Sequence, residues 1–440
     1  MLRAMYSGIG GMRSFQTKLD VIGNNIANVN TTGFKKGRVT FQDLVSQQIS
    51  GAATPTENRG GINPTQVGLG STIASIDTIQ TQGSLQTTGR NLDMGITGDG
   101  FFIANNGGQS YYTRAGNFYI DEVGNLVTAD GLRIQGYQAE DGVLDTTVLG
   151  SLQITSGQLM PPTATTEVQF KGNLDARVEQ SDTPLQGNTL TMDQIMNDST
   201  TIVPYPIIDS LGNVHQLELV FRKTGENQWQ VGRITPNPNN DQYTFNALGD
   251  PAHRLRLDNN GSFLGVGAVG APIDQLSNFV TLENYAHGNG AAVSNIQLDL
   301  SRMSQFARNT NVGLHSVNGN EDGTLESYSI SQTGELNGVF SNGEVRLLGQ
   351  IALATFNNPG GLSKAGSNLY QISNNSGEPQ IGGAGGDGRG MLTGGSLEMS
   401  NVDLSEEFTE LIVAQRGFQA NTRIITTSDE ILQELVNLKR

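Results

Sequence analysis

Apolar side chains recur every three or four positions through the first thirty residues of the chain. This spacing places them along one face of an amphipathic α-helix of about eight turns. Four glycines lie within the same stretch, and each weakens a helix by roughly 0.5 to 1 kcal/mol relative to alanine. The polar run at residues 28–33 predicts the end of the helix. The apolar positions of this face are Leu2, Met5, Ile9, Met12, Phe15, Leu19, Ile22, Ile26 and Val29.

A second helical pattern closes the sequence, where apolar residues follow one another in heptad-like steps of four and three. Asp403 or Ser400 is predicted to cap this helix, because a side-chain oxygen there accepts a hydrogen bond from a free backbone N–H. Glu406, Glu407 and Glu410 follow near the N-terminus, where the helix dipole favours negative charge. The apolar positions are Leu404, Phe408, Leu411, Phe418, Ile425, Leu432 and Val436.

The interior between the two helices has the pattern of short strands separated by Gly and Asn turns. Leu217, Leu219 and Phe221 alternate with other residues before a polar turn, and Trp229 and Val231 alternate after it. This arrangement predicts a β-hairpin. Residues 381–395 include eight glycines, and we expect a flexible connection there. The sequence therefore predicts helices at both ends and a β-rich interior.

The composition is acidic and free of cysteine. The 440 residues carry 26 Lys+Arg against 42 Asp+Glu, a formal net charge of -16. A chain with this charge is repelled by phosphate backbones, so nucleic-acid binding is disfavoured. The absence of cysteine excludes disulfides, Cys-ligated zinc, iron–sulfur clusters and thiol catalysis. We expect no signal peptide and no membrane insertion, because the required apolar runs do not occur.

Motifs that carry catalysis are nearly missing from the sequence. HExxH, GxSxG and the Gly-Lys pair of a phosphate-binding loop do not occur. Residues 265–270 match GxGxxG, but Pro272 stands where a helix would have to begin, so dinucleotide binding is disfavoured. Residues 258–261 are interpreted as a turn, because the other ligands of a calcium loop are missing.

The histidines are interpreted as solvated or locally bonded side chains, because each stands apart in a hydrophilic stretch. They are His215, His253, His287 and His315. The interpretation of the histidines and the missing motifs together predict no catalytic, cofactor-binding or metal-binding residue, and hence no enzyme.

The two helical ends carry opposite charge. Residues 1–38 sum to +5, from six basic residues and one acidic residue, and residues 398–440 sum to -4, from eight acidic and four basic residues. Opposite charge favours the two ends lying together. Two interpretations are open: the helices pack within one chain, or they pack between neighbouring subunits of a polymer. We predict that the apolar positions named above form a self-assembly interface.

Several sequence blocks resemble those of the bacterial flagellar rod and hook axial proteins. They read NNIANVNTTGFK at residues 24–35, GSLQTTGRNLDMGITGDGFF at 83–102, YTRAGNF at 112–118 and NVDLSEEF at 401–408. The resemblance covers about residues 1–137 and 345–440, whereas about 160–315 match no motif. The family motif of the first block comprises Asn28, Asn30, Thr31, Thr32, Gly33 and Phe34.

This resemblance implies a structural subunit of the flagellar hook. Such a subunit is exported by the flagellar type III apparatus without a cleaved signal, and it polymerises outside the cell into a curved hollow tube. The tube acts as a universal joint that transmits torque from rod to filament during motility. The implied partners are further copies of the chain, the distal rod protein, the hook cap or scaffold protein, the hook–filament junction protein and the export apparatus.

Two alternatives stay open at this point. A distal-rod subunit of the flagellum shares the end blocks, although the length of the chain favours the hook. A secreted enzyme or carbohydrate-binding protein with a site in the unmatched middle is the alternative from another class.

The fold implied by the resemblance is an elongated α+β multidomain protein with an inner helical domain and two mainly antiparallel β domains. Residues 1–30 and 400–440 are expected to form the terminal helical polymerisation domain. Linkers between layers are expected at 31–70 and 381–399. A discontinuous β domain is expected from 71–160 and 315–380, and an inserted outer β domain from 161–314.

Overall fold

A computed structural model describes most of the chain, namely residues 2–52, 54–55, 59–155, 157–181, 189–191, 200–236, 242–248 and 253–437. Three parts of the predictions lie outside the described residues. They are the end of the predicted helical domain at 438–440, the side chain of Leu2 and several pieces of the predicted insert. The fold is mostly β with one helix at each end, which confirms the predicted α+β class. No helix among the described residues has the length and apolarity needed to cross a membrane.

The chain forms two compact units. The first comprises Met1–Ser156, Ser327–Val339 and Val345–Arg440, and the second comprises Gly157–Glu326 and Phe340–Glu344. The predicted insert at 161–314 lies within the second unit. The finer division of the first unit into helical domain, linkers and β domain stays a prediction.

Both predicted terminal helices are present, as α1 (Leu2–Ala27) and α2 (Leu404–Asn437). The predicted stop at 28–33 is confirmed, because α1 ends at Ala27, directly before this polar run. The N–H of Val29 bonds to the carbonyl of Ile26, three residues back, so Val29, the last position of the predicted apolar face, lies just beyond the helix. Asp403 is the cap of α2: its Oδ1 accepts hydrogen bonds from the backbone N–H of Ser405 (2.8 Å) and of Glu406 (3.3 Å).

The rest of the first unit consists mainly of antiparallel strands, of which β1 and β4 pack against α1. Its central strand, β11, pairs with β7, β12 and β27, and β7 also pairs with β8. Phe102 and Phe118 meet edge to face in its core, with ring centroids 4.9 Å apart. The strands that begin and end in this unit are β1 (Gly37–Asp43), β2 (Ser46–Ser50), β3 (Thr65–Gly68), β4 (Ser71–Thr78), β5 (Leu85–Thr87), β6 (Met94–Thr97), β7 (Phe101–Asn106), β8 (Gln109–Thr113), β9 (Tyr119–Ile120), β10 (Leu126–Val127), β11 (Arg133–Glu140), β12 (Val143–Ser151), β27 (Val345–Thr355), β28 (Ser363–Gly366), β29 (Leu369–Gln371), β30 (Gln380–Gly383), β31 (Met391–Gly394) and β32 (Ser396–Glu398).

The expectation of a flexible connection at 381–395 is wrong, whereas the linker at 381–399 stays a prediction. This segment contributes β30, β31 and β32, which pair with β27, β6 and β5. Its glycines serve close packing: a Cβ added to Gly390 would lie 2.5 Å from the carbonyl oxygen of Thr97. Glycine is therefore required here by neighbouring backbone rather than by flexibility.

The second unit is a β structure with its own core around Trp229, whose indole N–H donates to Gln305 Oε1 (2.8 Å). The predicted hairpin is confirmed, since β17 and β18 pair antiparallel across a turn at Asn227. Residues 265–268 of the GxGxxG match lie in the strand Phe263–Ala268 and not at the start of a helix. The strands are β13 (Leu159–Met160), β14 (Glu167–Asp175), β15 (Thr189–Thr191), β16 (Thr200–Ile208), β17 (Val214–Gly225), β18 (Gln228–Pro236), β19 (Gln242–Ala247), β20 (His253–Leu257), β21 (Phe263–Ala268), β22 (Phe279–Tyr285), β23 (Ser294–Phe306) and β24 (Gly313–Val317), and the border between the units falls within β25 (Gly323–Ile330) and β26 (Glu335–Phe340).

Candidate self-assembly site

The two terminal helices pack against each other within one chain, in opposite directions. Thr422 Oγ1 lies 3.6 Å from Met12 Sδ, and Asn25 Nδ2 donates to Glu407 Oε2 at 3.1 Å. Lys18 adds an ion pair with Glu410. The opposite charges of the two ends therefore meet inside a single subunit.

Glycines let these helices approach closely. A Cβ on Gly417 would lie 2.6 Å from the Phe15 ring, and one on Gly11 would lie 2.8 Å from Asn421 Oδ1. Gly23, in contrast, faces open space. Of the four glycines noted in α1, Gly11 therefore lies closely packed at the helix contact, and Gly417 of α2 lies there too, where a methyl group would meet the Phe15 ring.

One face of α2 is buried or half-buried, and we call it the packed face. It contains the predicted positions Leu411, Phe418, Ile425 and Leu432, with further buried or half-buried positions between them. Predicted residues Leu404, Phe408 and Val436 are exposed, whereas the predicted positions of α1 from Met5 to Val29 are buried or half-buried. The packed face consists of Glu407, Leu411, Ala414, Phe418, Asn421, Ile425, Ser428 and Leu432.

A second apolar face of α2 lies in solvent, and we call it the outer stripe. Val413, Ala420, Ile424 and Ile431 are all exposed, with fractions of 56% for Val413 and 44% for Ile424. Their spacing of seven, four and seven residues places them on one side of the helix. The sequence prediction did not include this stripe, because the heptad-like steps were followed from Leu411. The residues of the stripe have the same helical spacing, so the sequence contains the signal.

The family motif after α1 folds as a compact turn. Thr31 Oγ1 donates to Asn28 Oδ1 (3.1 Å), and Thr32 accepts a hydrogen bond from the Asn368 side chain (3.0 Å). Gly33 adopts a φ of +70°, and a Cβ there would lie 2.6 Å from the N atom of Ala115. Phe34 is buried, whereas Asn30 is exposed. The glycine of the motif is therefore fixed by both its backbone conformation and its neighbour.

The residue after this motif, Lys35, has a buried ammonium group at the junction with the C-terminal segment. Its Nζ lies 2.6 Å from Glu398 Oε1 and 2.7 Å from the carbonyl oxygen of Thr81. Arg114 Nη1 approaches the other carboxylate oxygen at 3.3 Å. Burial lowers the pKa of Lys35, and the carboxylate of Glu398 opposes that shift. Lys35 and Arg114 lie within the family blocks at 24–35 and 112–118, but the sequence did not predict that they or Glu398 are buried, since charged side chains are usually exposed.

A second, more exposed ionic contact lies beside the first. Lys36 Nζ is 2.7 Å from Glu406 Oε2, in the first turn of α2. Asn25 holds the start of β1, because its side chain both donates to the carbonyl of Gly37 and accepts from its N–H, each at 2.9 Å. These contacts hold α1, the family motif and α2 against one another.

The histidines of the second unit have local partners, in agreement with the sequence interpretation, but two of them also meet each other. His215 Nε2 lies 2.8 Å from Asp209 Oδ2, and the rings of His215 and His287 are 4.9 Å apart. His253 and His315 have local partners, the Leu248 carbonyl and Arg302. The turn at 258–261 is confirmed, with Asp258 Oδ1 accepting from the N–H of Asn260.

Paired terminal helices, a β unit built on them and a second β unit inserted in the chain define a structural protein of the flagellar axis. Four family descriptions match it: "Flagella basal body rod protein" at residues 5–35, "Flagellar hook protein FlgE/F/G D1 domain" at 95–174, "Flagellar basal body protein FlaE D2 domain" at 173–320 and "Flagellar basal body rod FlgEFG protein C-terminal" at 393–438. The chain belongs to the flagellar hook protein family.

Full-length relatives support this assignment. The chain is 42% identical to "Flagellar hook protein FlgE" of Borreliella burgdorferi and 40% identical to that of Treponema pallidum, with 100% of both chains covered in each case. A crystal structure of Helicobacter pylori flagellar hook protein FlgE2 matches with a TM-score of 0.51 at 17% identity, over 71% of this chain and 100% of that chain. The last match shows a likeness of fold. The resemblance predicted from the sequence blocks is confirmed, and the distal-rod alternative is not favoured.

Proposed function

We propose that this structural hook subunit polymerises through its terminal helices into a curved hollow tube, which serves as a universal joint between rod and filament. The single observation that carries the proposal is the pair of apolar faces on α2. One face is occupied by α1 of the same chain, and the outer stripe is left exposed. Burying exposed apolar side chains is favourable by roughly 25 cal/mol per Å², so a second copy of the chain is the natural occupant.

The predicted interface divides into two roles in this proposal. The half-buried positions, such as Phe15, Phe418 and Ile425, hold α1 against α2 and so shape the helical domain. The exposed positions, such as Phe408 and Val436 together with the outer stripe, contact neighbouring subunits. The family motif at 28–34 sets the direction in which the chain leaves α1.

The remaining roles follow from membership of the family. We infer that the terminal helices line the inner layer of the tube and that the β units form its outer layers. Family membership supports self-polymerisation and a location in the hook. We further propose export without a cleaved signal by the type III apparatus, and contacts with the distal rod protein, the hook cap protein and the hook–filament junction protein. No enzymatic reaction is part of the proposal.

The outer stripe can be tested with two neighbouring substitutions on α2. Ile424→Asp places a carboxylate in the stripe, whereas Thr426→Asp places one about 200° further round the helix at an equally exposed position. Both variants should keep the helix content of the monomer. We expect Ile424→Asp to abolish hooks in a strain that lacks the native protein, and Thr426→Asp to form them, as seen by electron microscopy. Normal hooks from Ile424→Asp would refute this use of the stripe.

A further inference from the structure

A cluster of metal-binding side chains lies in the second unit, remote in sequence from the terminal helices. Asp209 follows β16, His215 lies in β17, and His287 follows β22. Their candidate ligand atoms all lie within 4.8 Å of one another. Two residues that flank the β16–β17 turn and one from the loop after β22 therefore converge on one point of the unit.

The carboxylate of Asp209 is held firmly in place. Its Oδ1 accepts hydrogen bonds from the backbone N–H groups of Leu211 (2.8 Å) and Asn213 (2.9 Å), while Oδ2 is approached by His215 and by the side-chain amide of Asn289. Although burial raises the pKa of Asp209, these hydrogen bonds outweigh it and hold the pKa well below its usual range. The buried carboxylate is consequently negative at neutral pH.

The imidazole of His287 has one occupied and one free nitrogen. Nε2 lies 2.8 Å from Ser294 Oγ, whereas Nδ1 is buried and has no hydrogen-bond partner. Tyr285 packs edge to face on this ring at 5.0 Å and restricts its orientation. A neutral imidazole with one nitrogen hydrogen-bonded and the other free is the form in which histidine binds metals.

We propose that Asp209, His215 and His287 bind a divalent transition-metal ion, best fitted by Zn²⁺, with water as the remaining ligand. Two imidazoles and one carboxylate suit zinc, whereas Ca²⁺ and Mg²⁺ prefer sites made of oxygen ligands alone. The ion would replace the proton between His215 and Asp209. Ligand atoms on a tetrahedral zinc lie roughly 3.3 Å apart, so the required side-chain movements are small.

The ion would have a structural purpose. The loop after β22 already contacts the turn after β16, since Asn289 bonds to Asp209 and the N–H of Ala292 donates to Ser210 Oγ (3.0 Å). A bound metal would join the same two segments through His287 and Asp209. A ligand that binds only the folded state stabilises it, so the second unit should unfold at a higher temperature with zinc than without it.

The test uses the full-length chain after treatment with a chelator. Titration with Zn²⁺ should give one saturable site per chain and raise the melting temperature, whereas Mg²⁺ should do neither. His287→Gln and His215→Gln should each weaken Zn²⁺ binding by roughly tenfold or more. His253→Gln is the matched control and should bind zinc as the unmodified chain does.

A second measurement needs no variant and therefore does not depend on how well the substituted chains fold. Co²⁺ in the site should give the visible absorption of a tetrahedral ion with nitrogen and oxygen ligands, and Zn²⁺ should displace it. Absence of a stoichiometric site in the unmodified chain would overturn the proposal. Equal zinc affinity in folded His287→Gln would overturn it too.

Discussion

The ammonium nitrogen of Lys35 lies 2.6 Å from Oε1 of Glu398, and both side chains are fully buried. Lys35 directly follows the family motif, and Glu398 ends β32, shortly before α2 begins. The backbone N–H of Gly83 donates to the same carboxylate oxygen at 2.9 Å. One buried ion pair thereby ties the segment after α1 to the segment before α2.

Removing one partner of this pair should destabilise the first unit strongly. Lys35→Met leaves the Glu398 carboxylate buried without its main countercharge, and breaking a buried pair costs about 3–5 kcal/mol. Lys36→Met is the matched control, because its partner Glu406 is 59% exposed and such surface pairs contribute about 0–1 kcal/mol. Urea unfolding of the two variants measures the loss of unfolding free energy in each. Equal losses of unfolding free energy in the two variants would show that burial of Lys35 has no energetic consequence.

The packed face of α2 should behave differently from its outer stripe. Ile425→Asp puts a carboxylate beside Gly8 of α1, because the Ile425 Cγ1 lies 3.5 Å from the position of a Cβ on Gly8. We expect the helix pair to open in the monomer, since a carboxylate at this half-buried position is partly desolvated and has no partner. Circular dichroism should report lost helix, while the melting of the β units stays unchanged. Retained helix content together with normal hooks would contradict the assignment of this face.

Two glycines should respond in opposite ways to alanine. A Cβ on Gly23 would face open space. Gly23→Ala should therefore stabilise α1 by about 0.5–1 kcal/mol, because alanine restricts the unfolded chain and favours the helix. Gly417→Ala should instead destabilise the helix pair, since its methyl group meets the Phe15 ring. Thermal unfolding followed at a helix-sensitive wavelength compares them. A gain in stability from both substitutions would mean that the helix contact tolerates a methyl group.

The second unit should be dispensable for export and for the basic polymer. The chain enters and leaves it at neighbouring positions: Thr163 N–H donates to the Asn320 carbonyl (3.0 Å), and Asn320 N–H donates back (3.1 Å). Deleting residues 164–319 with a short glycine joint therefore needs little rearrangement. We expect secretion and some polymerisation to persist. Complete loss of assembly by an exported, folded deletion variant would reject this prediction.

Acid should remove one specific contribution to the stability of the second unit. Hydrogen bonds from the Arg177 side chain, at 2.8 Å for Nη2, lower the pKa of Asp175 to about 2. A carboxyl whose pKa is lower in the folded state stabilises that state above its unfolded pKa of about 3.9 and loses this effect as the pH falls towards 2. Asp175→Asn should therefore destabilise the chain at pH 7 but not near pH 2, unlike the exposed control Asp274→Asn. If the difference in unfolding free energy between Asp175→Asn and the unmodified chain did not change with pH, this prediction would be refuted.

Local features were predictable from the sequence because they depend on residues a few positions apart. The periodicity from Met5 to Ile26 determined α1, and the carboxylate of Asp403 determined where α2 begins. The alternation around Trp229 determined a hairpin. The blocks at 24–35 and 401–408 further indicated the family, which full-length relatives confirm.

Only the tertiary structure decided which of these elements meet. Periodicity marks an apolar face but not its occupant, so the outer stripe at Ile424 and the packed face at Ile425 could not be told apart. Composition predicted flexibility at 381–395, yet pairing with distant strands requires glycine there. Lys35 and Glu398, or Asp209 and His287, are separated by many residues. Their proximity follows from the path of the whole chain, because burial and ion pairing are set by neighbours in space and not by neighbours in sequence.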